Sequence, residues 1–179
     1  MDAITSQLSE LTPFDCNICG RKNVLGPMHL VDPELPSCTS CGSNIRMRWL
    51  IHRLSLELFG RSLPVFEFPR KPNVTALGLS DHDLIADCLK DRFSYRNTYY
   101  DHAPRFDLRF DDSPIGSLDF LIASEVFEHI EPPVSNAFRN SARILKPSGI
   151  LLLTVPWVCD GNPEEALPGF PRLEARSRG

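Results

Sequence analysis

The chain has 179 residues, of which 42% are hydrophobic and 23% charged, and a formal net charge of −4. These totals exclude wholesale disorder, which needs low hydrophobicity and high net charge. They also argue against a protein built mainly to neutralise a nucleic-acid backbone.

The length accommodates a small module followed by a compact domain. The opening stretch "MDAITSQLSELTPFD" lacks the basic-then-apolar pattern of a signal peptide. No apolar run approaches the roughly 18 residues of a membrane span. The expected location is the cytoplasm, with no membrane partner.

Six cysteines in a reducing compartment are poor disulfide candidates. Cys16, Cys19, Cys38 and Cys41 form two C-x-x-C turns, "CNIC" and "CTSC", with eighteen residues between them. Two such turns can aim four thiolates at one ion while the amides behind them donate to the sulfurs, completing a tetrahedral shell. Structural zinc is favoured over a redox pair or an iron site. Gly20 and Gly42 follow the second cysteine of each turn, where the chain often needs positive φ. A closed shell leaves no open position for catalysis. Cys88 and Cys159 stand alone as buried or incidental thiols.

"SNIRMRWLIHRLSLELFG" predicts an amphipathic helix, with Ser43 as N-cap, Gly60 as stop, and an apolar face through Ile45, Trp49, Leu50, Leu54, Leu58 and Phe59. Arg46, Arg48, His52 and Arg53 make its polar side basic. A solvated face is favoured there over a phosphate or RNA site. The proline-bearing stretch "RSLPVFEFPRKP" reads as an extended connector.

Alternating elements follow: "NVTALGL" as strand, "DHDLIADCLKDRF" as helix, "SYRNTYY" as strand, and "FDLRF" as a short strand. "SLDFLIAS" is a buried strand, "VSNAFRNSARILK" an amphipathic helix and "GILLLTVP" an apolar strand. Strands apolar on both faces and separated by helices imply an α/β fold with a mainly parallel, Rossmann-like sheet covered on both sides. Residues 1–60 are expected to form a zinc-knuckle module with a basic helix, and 61–179 the Rossmann-like domain. The stretch "GNPEEALPGFPRLEARSRG" has no convincing period. It reads as a lid-like loop, or as a sign that the C-terminal part of the sheet is incomplete.

"LDFLIASEVFEHIEPPVSNAFRNSARILKPSGILLLTVPW", residues 118–157, resembles the strand, loop, helix and strand near the middle of class I S-adenosylmethionine-dependent methyltransferases of the type 11 kind. The carrying features are Asp119 in an apolar strand, the exit "SEVFEHI", the helix ending "ILKPSG", and "LLLTVP". The chain as a whole resembles the members with an N-terminal four-cysteine module. The resemblance implies methyl transfer from S-adenosylmethionine to an acceptor O, N or C.

The resemblance also implies that "NVTALGLSD" is the first strand and the cofactor turn. There the family's glycine-rich run is reduced to Gly78, followed by Leu79, Ser80 and Asp81. On local sequence alone, Ser80 and Asp81 read better as caps of the next helix. Only residues 118–157 reverse that preference and make Gly78, Ser80 and Asp81 cofactor candidates.

Asp101, past the second strand, stands where an acidic residue binds ribose hydroxyls. Asp107 resembles the acidic residue facing the adenine amino group. Its placement conflicts with spacing, because five residues are too few for a parallel crossover. Ser124 and Glu125 leave a strand at its ligand-binding end, and Glu125 or His129 is a candidate base. For His129, bracing the loop is an equal alternative, and transfer to a good nucleophile needs no base at all. A small-molecule or glycan acceptor is favoured over RNA. A non-catalytic binding protein of the same fold is the rival.

Overall fold

The computed structural model describes residues 11–26, 29, 32, 34–110 and 114–156. Strands β1 (Thr12–Asp15) and β2 (Lys22–Leu25) pair antiparallel around the first C-x-x-C turn. Next come α1 (Ile45–Phe59), β3 (Lys71–Leu79), α2 (Asp83–Lys90), β4 (Phe93–Thr98), β5 (Leu118–Ser124), α3 (Ser135–Ile144) and β6 (Leu145–Thr154). Among the described residues, Cys88 is half-buried. Cys159 and the stretch after "LLLTVP" lie outside them.

The four long strands form one parallel sheet in the order β4-β3-β5-β6. The chain steps from β3 outward to β4, then returns to the other side of β3 with β5. Strand order therefore reverses between β3 and β5, the place where open α/β sheets form a crevice beyond their carboxyl ends.

Burial on both faces explains the apolar runs. Leu77, Phe120, Leu121 and Ile122 are almost wholly inaccessible, as strands covered on two sides require. Helices α1 and α2 cover one face through Leu50, Ile51, Leu54, Ile85 and Leu89. Helix α3 and the Phe106–Leu108 segment cover the other, with Ala137 and Ile144. Cys16, Ile18 and Cys38 belong to the first of these clusters, so the cysteine-bearing segment and the sheet share one continuous core. Aromatic contacts extend it from Phe59 through Phe68 and Phe93 to Phe120, with centroid spacings of 5.1, 6.2 and 5.4 Å.

Several expectations are corrected. The N-cap of α1 is Asn44, whose side chain accepts from the Met47 amide, and not Ser43. The buried face runs through Met47, Leu50, Ile51, Leu54 and Ser55, leaving Trp49 45% exposed. Gly60 does end the helix in the left-handed region, donating to the Leu56 carbonyl. His82 caps α2 by accepting from the Leu84 amide, so neither Ser80 nor Asp81 does so.

"FDLRF" is a turn rather than a strand, tied to the end of β4 by a single bridge between Tyr99 and Arg105. Asp107 Oδ1 accepts from both the amide and Nε of Arg109. That local bonding offers the backbone an alternative to a sheet ladder. With no strand there, the spacing conflict disappears.

Candidate functional site

The first cluster is the cysteine set. Its four sulfurs all lie within 4.8 Å of one another, with Cys16–Cys41 at 3.8 Å and Cys19–Cys38 at 3.5 Å. A tetrahedral site with Zn–S near 2.3 Å requires sulfurs about 3.8 Å apart, so the donor set fits a zinc ion. Gly20 (φ 77) and Gly42 (φ 73) supply the left-handed corners, donating back to the Cys16 and Cys38 carbonyls at 2.8 and 2.9 Å. Burial opposes thiolate formation at Cys38, but the amides of Cys41 and Ser40 behind the sulfur bring its thiol down to about 6.

Two residues around the sulfurs are not obvious in the sequence. Asn23 Nδ2 stands 3.4 Å from the Cys38 sulfur while its Oδ1 accepts from the Thr39 amide. Ser43, expected to cap a helix, sits with its hydroxyl 3.4 Å from Cys16 Sγ and 3.3 Å from Cys41 Sγ.

The turn after β3 is pinned from β4. The Ser80 amide donates to the Thr98 carbonyl at 2.7 Å, and the Asp81 amide to Asn97 Oδ1 at 3.0 Å. Asn97 Nδ2 returns a bond to the Asp81 carbonyl, and Thr98 Oγ1 donates to the Gly78 carbonyl. The Tyr95 hydroxyl donates to Asp81 Oδ2. Burial pushes the Asp81 carboxyl up to about 7, against the Tyr95 bond and the Arg46 charge, which both favour ionisation.

Gly78 is needed for this packing, since a Cβ there would lie 1.8 Å from the Tyr95 hydroxyl and 2.3 Å from Asp81 Oδ2. The positive φ expected of a glycine-rich turn falls on Ser80, at 56°, and not on Leu79. The Ser80 and Asp81 amides at this turn are thus committed to β4 and not free for a ligand.

A cavity of about 470 Å³ opens at the β3–β5 crevice, on the α3 side of the sheet. Its size falls within the range of about 300–1,000 Å³ typical of small-molecule sites. Leu79, Phe106, Leu108, Val126 and Ile130 give it apolar walls, and Thr98 and Tyr99 its β4 side. Five of the sequence candidates meet there: Ser80, Asp101, Asp107, Glu125 and His129. Gly78, Asp81 and Ser124 do not line it.

The Asp101 side chain is 81% exposed and pairs with His102 Nδ1 at 2.7 Å, which holds its carboxyl below the usual range. Asp107 is buried, and Arg109 bonds both of its oxygens and lowers its pKa. Arg109 also reaches Glu131 at 2.9 Å. His129 is 79% exposed, with Nε2 3.9 Å from Glu128 Oε1.

Beyond β5, Glu125 adopts φ 56 and its Oε1 is buried without a hydrogen-bond partner among the described residues. Neither oxygen of Glu128 has one either, although that side chain is only 7% exposed. Burial raises the Glu128 carboxyl above its ordinary value, and the Glu125 charge adds to this.

Arg46, assigned from sequence to a solvated basic face, comes from the other side of the sheet. It donates to Ser124 Oγ, bonds Glu34, and stands 3.9 Å from Glu125. Arg48 turns to the cysteine segment, bonding Ser37 at 2.6 Å and lying 4.3 Å over the Phe14 ring. The helix arginines therefore present no common basic face. The period-two pairing of Tyr95 with Asn97 on one side of β4 was the available signal for the bracing of the turn. Nothing in the local sequence marked Arg46.

A methyltransferase-domain family model matches residues 59–153. No curated protein matches the chain. Among solved structures, a Methanococcus maripaludis protein assigned as an S-adenosyl-L-methionine-dependent methyltransferase is 16% identical with a TM-score of 0.42, over 58% of this chain and 53% of that one. A complex between the Haloferax volcanii Trm112 methyltransferase activator and its assigned methyltransferase matches at 16% and 0.40, over 59% of this chain and 51% of that one. A Pyrococcus horikoshii OT3 protein matches at 16% and 0.37, over 72% and 65%. The chain spans about half the length of the first two. The family match takes in more than half of the sequence and coincides with the sheet and its crevice, and on that ground the chain belongs to the methyltransferase-domain family.

Proposed function

We propose that this chain binds S-adenosylmethionine in the β3–β5 crevice and transfers its methyl group to a small-molecule or glycan acceptor, with Cys16, Cys19, Cys38 and Cys41 holding a structural zinc. The observation that carries this reading is the cavity itself, which gathers Ser80, Asp101, Asp107 and Glu125 at the carboxyl ends of β3, β4 and β5 in a chain of this family.

When bound, the cofactor supplies an electrophilic methyl on a positive sulfur. The residues present suit such a ligand. Asp101 can accept from ribose hydroxyls, whereas Asp107, buried with both oxygens accepting from Arg109, would have to share those oxygens to take an adenine amino group. The Ser80 hydroxyl and the apolar walls of Leu79, Phe106 and Val126 enclose the rest. The carboxylate of Glu125, whose Oε1 accepts no hydrogen bond among the described residues and stands 3.9 Å from Arg46, can favour positive charge at the crevice. Gly78 and Asp81 act behind the site, shaping the turn. Glu125 and His129 stand at the rim, where either can accept a proton from an acceptor group. Their essential part is orientation, since in-line placement alone supplies much of the rate.

The acceptor class rests on electrostatics. Arg46 and Arg48 are committed within the fold, and the cavity wall sets four carboxylates, Asp101, Asp107, Glu125 and Glu131, against one guanidinium, Arg109, which pairs with Asp107 and Glu131 and leaves the wall net negative. That charge repels a phosphate backbone.

Calorimetric titration with S-adenosylmethionine tests the proposal. Saturable binding at one site is expected, with weaker binding in Asp101→Ala. No heat of binding in the folded, metal-loaded chain contradicts it and favours the non-catalytic reading.

A further inference from the structure

Glu34 lies between the two cysteine pairs, four residues before Cys38. Its carboxylate accepts from Arg46 Nε and Nη2, both at 2.6 Å, and from Asn44 Nδ2 at 2.9 Å. This two-pronged contact fixes the plane of the guanidinium as well as its position. The free arm, Nη1, donates to Ser124 Oγ at the end of β5. Ser124 Oγ in turn lies 2.9 Å from Thr154 Oγ1 at the end of β6. The Arg46 side chain is 21% exposed and that of Glu34 49%, so solvent screens the Glu34 end of this path more than the Ser124 end.

The consequence is a continuous polar path from the metal loop to the crevice. Glu34 is carried by a segment closed at both ends by Cys19 and Cys38. Arg46 sits in the first turn of α1, and its far end meets the strand exit whose next residue, Glu125, lines the cavity.

We propose that Arg46 is a positioning residue: Glu34, tethered by the metal-closed cysteine loop, aims Arg46 at Ser124 and Glu125 and thereby sets the β5 wall of the cavity. The proposal rests on the zinc and cofactor assignments above. It makes the cysteine module a part of the site's geometry and not merely an appended fold. Loss of either the metal or the Glu34 carboxylate frees the guanidinium to swing, and the Ser124–Glu125 exit loses its outer brace.

The Glu125 amide, which donates to the Thr154 carbonyl at 3.1 Å, reports directly on that exit. The test is hydrogen exchange on the full, metal-loaded chain carrying Glu34→Ala. Metal content should be unchanged, and the Glu125 amide should exchange about tenfold faster, as expected for loss of one charge-assisted bond. Glu34→Gln, which keeps an acceptor for Arg46, should restore part of the protection. Chelation should accelerate the same amide in the wild type while adding little in Glu34→Ala. Unchanged exchange at Glu125 in metal-loaded Glu34→Ala overturns the proposal. If S-adenosylmethionine binds none of these proteins, the functional reading fails, while the exchange result still decides the coupling.

Discussion

The turn after β3 and the turn after β5 each hold a non-glycine residue at φ 56, Ser80 in one and Glu125 in the other. In the first, Tyr95, Asn97 and Thr98 of β4 satisfy the surrounding carboxylate, amides and carbonyls. In the second, Glu125 Oε1 and both Glu128 oxygens are buried without hydrogen-bond partners among the described residues. Leaving buried acceptors unmade is costly, so such groups call for an explanation in function. The contrast separates a finished brace from an unfinished surface. The β3 turn spends its polar groups on the fold, while the β5 exit places Glu125 at the cavity wall.

Metal loss should have the largest effect. Structural zinc in small modules contributes apparent binding energies of about 10–16 kcal/mol. Cys38→Ser or exhaustive chelation is therefore expected to abolish the one-zinc-per-chain stoichiometry and cause a large fall in thermal midpoint, since Cys16 and Cys38 sit in the core shared with the sheet. Metal analysis with calorimetry checks this. Full stability without metal would remove zinc from the account.

Next in size is Tyr95→Phe, which strips the Asp81 carboxylate of its donor in the interior. Leaving such a group unpartnered costs about 1–3 kcal/mol, readable in chemical denaturation. A neutral outcome would mean that the brace carries no stability.

The same carboxylate gives a pH signature. Its folded pKa of about 7 lies above the ordinary 3.8, so the native state binds more protons than the unfolded chain between those values. Stability contributed by the neutral form is full below about pH 4 and is lost as pH rises through 7. Asp81→Asn should lack this decline, so the variant-minus-wild-type difference in stability should grow in favour of the variant from pH 4 to pH 7. A flat difference would show that Asp81 stays ionised.

Ser80→Gly should act more gently. It relieves a left-handed strain of about 1 kcal/mol, partly offset by the entropy of glycine. A small rise in the denaturation midpoint is expected, whereas a fall would mean that the hydroxyl contributes more than the strain costs. Asp101→Ala should leave stability unchanged and only weaken cofactor binding, because its carboxylate is exposed and screened.

The sheet was legible because its strands are apolar on both faces, and "SLDFLIAS" became β5 with only its first residue left out, Leu118–Ser124. The cysteine cluster was legible because C-x-x-C spacing constrains geometry by itself. Other features depended on contacts that no local pattern carries. Arg46 has the same charge and helix as Arg48, yet one reaches Ser124 and the other Ser37, a difference fixed by the roughly 200° that separates two positions two residues apart on α1. Asp81 looked like a helix cap until Tyr95, fourteen residues on, claimed its carboxylate. "FDLRF" alternates like a strand, but an Asp and an Arg two residues apart closed it into a turn.

Everything proposed for the crevice between β3 and β5 depends on its receiving S-adenosylmethionine. Calorimetric titration of the zinc-loaded chain, run beside Glu125→Gln, tests it most directly. Saturable one-site binding is expected, weaker in the variant, since a neutral amide cannot favour the positive sulfur. Binding unaffected by Glu125→Gln, or no binding in the folded wild type, would contradict it.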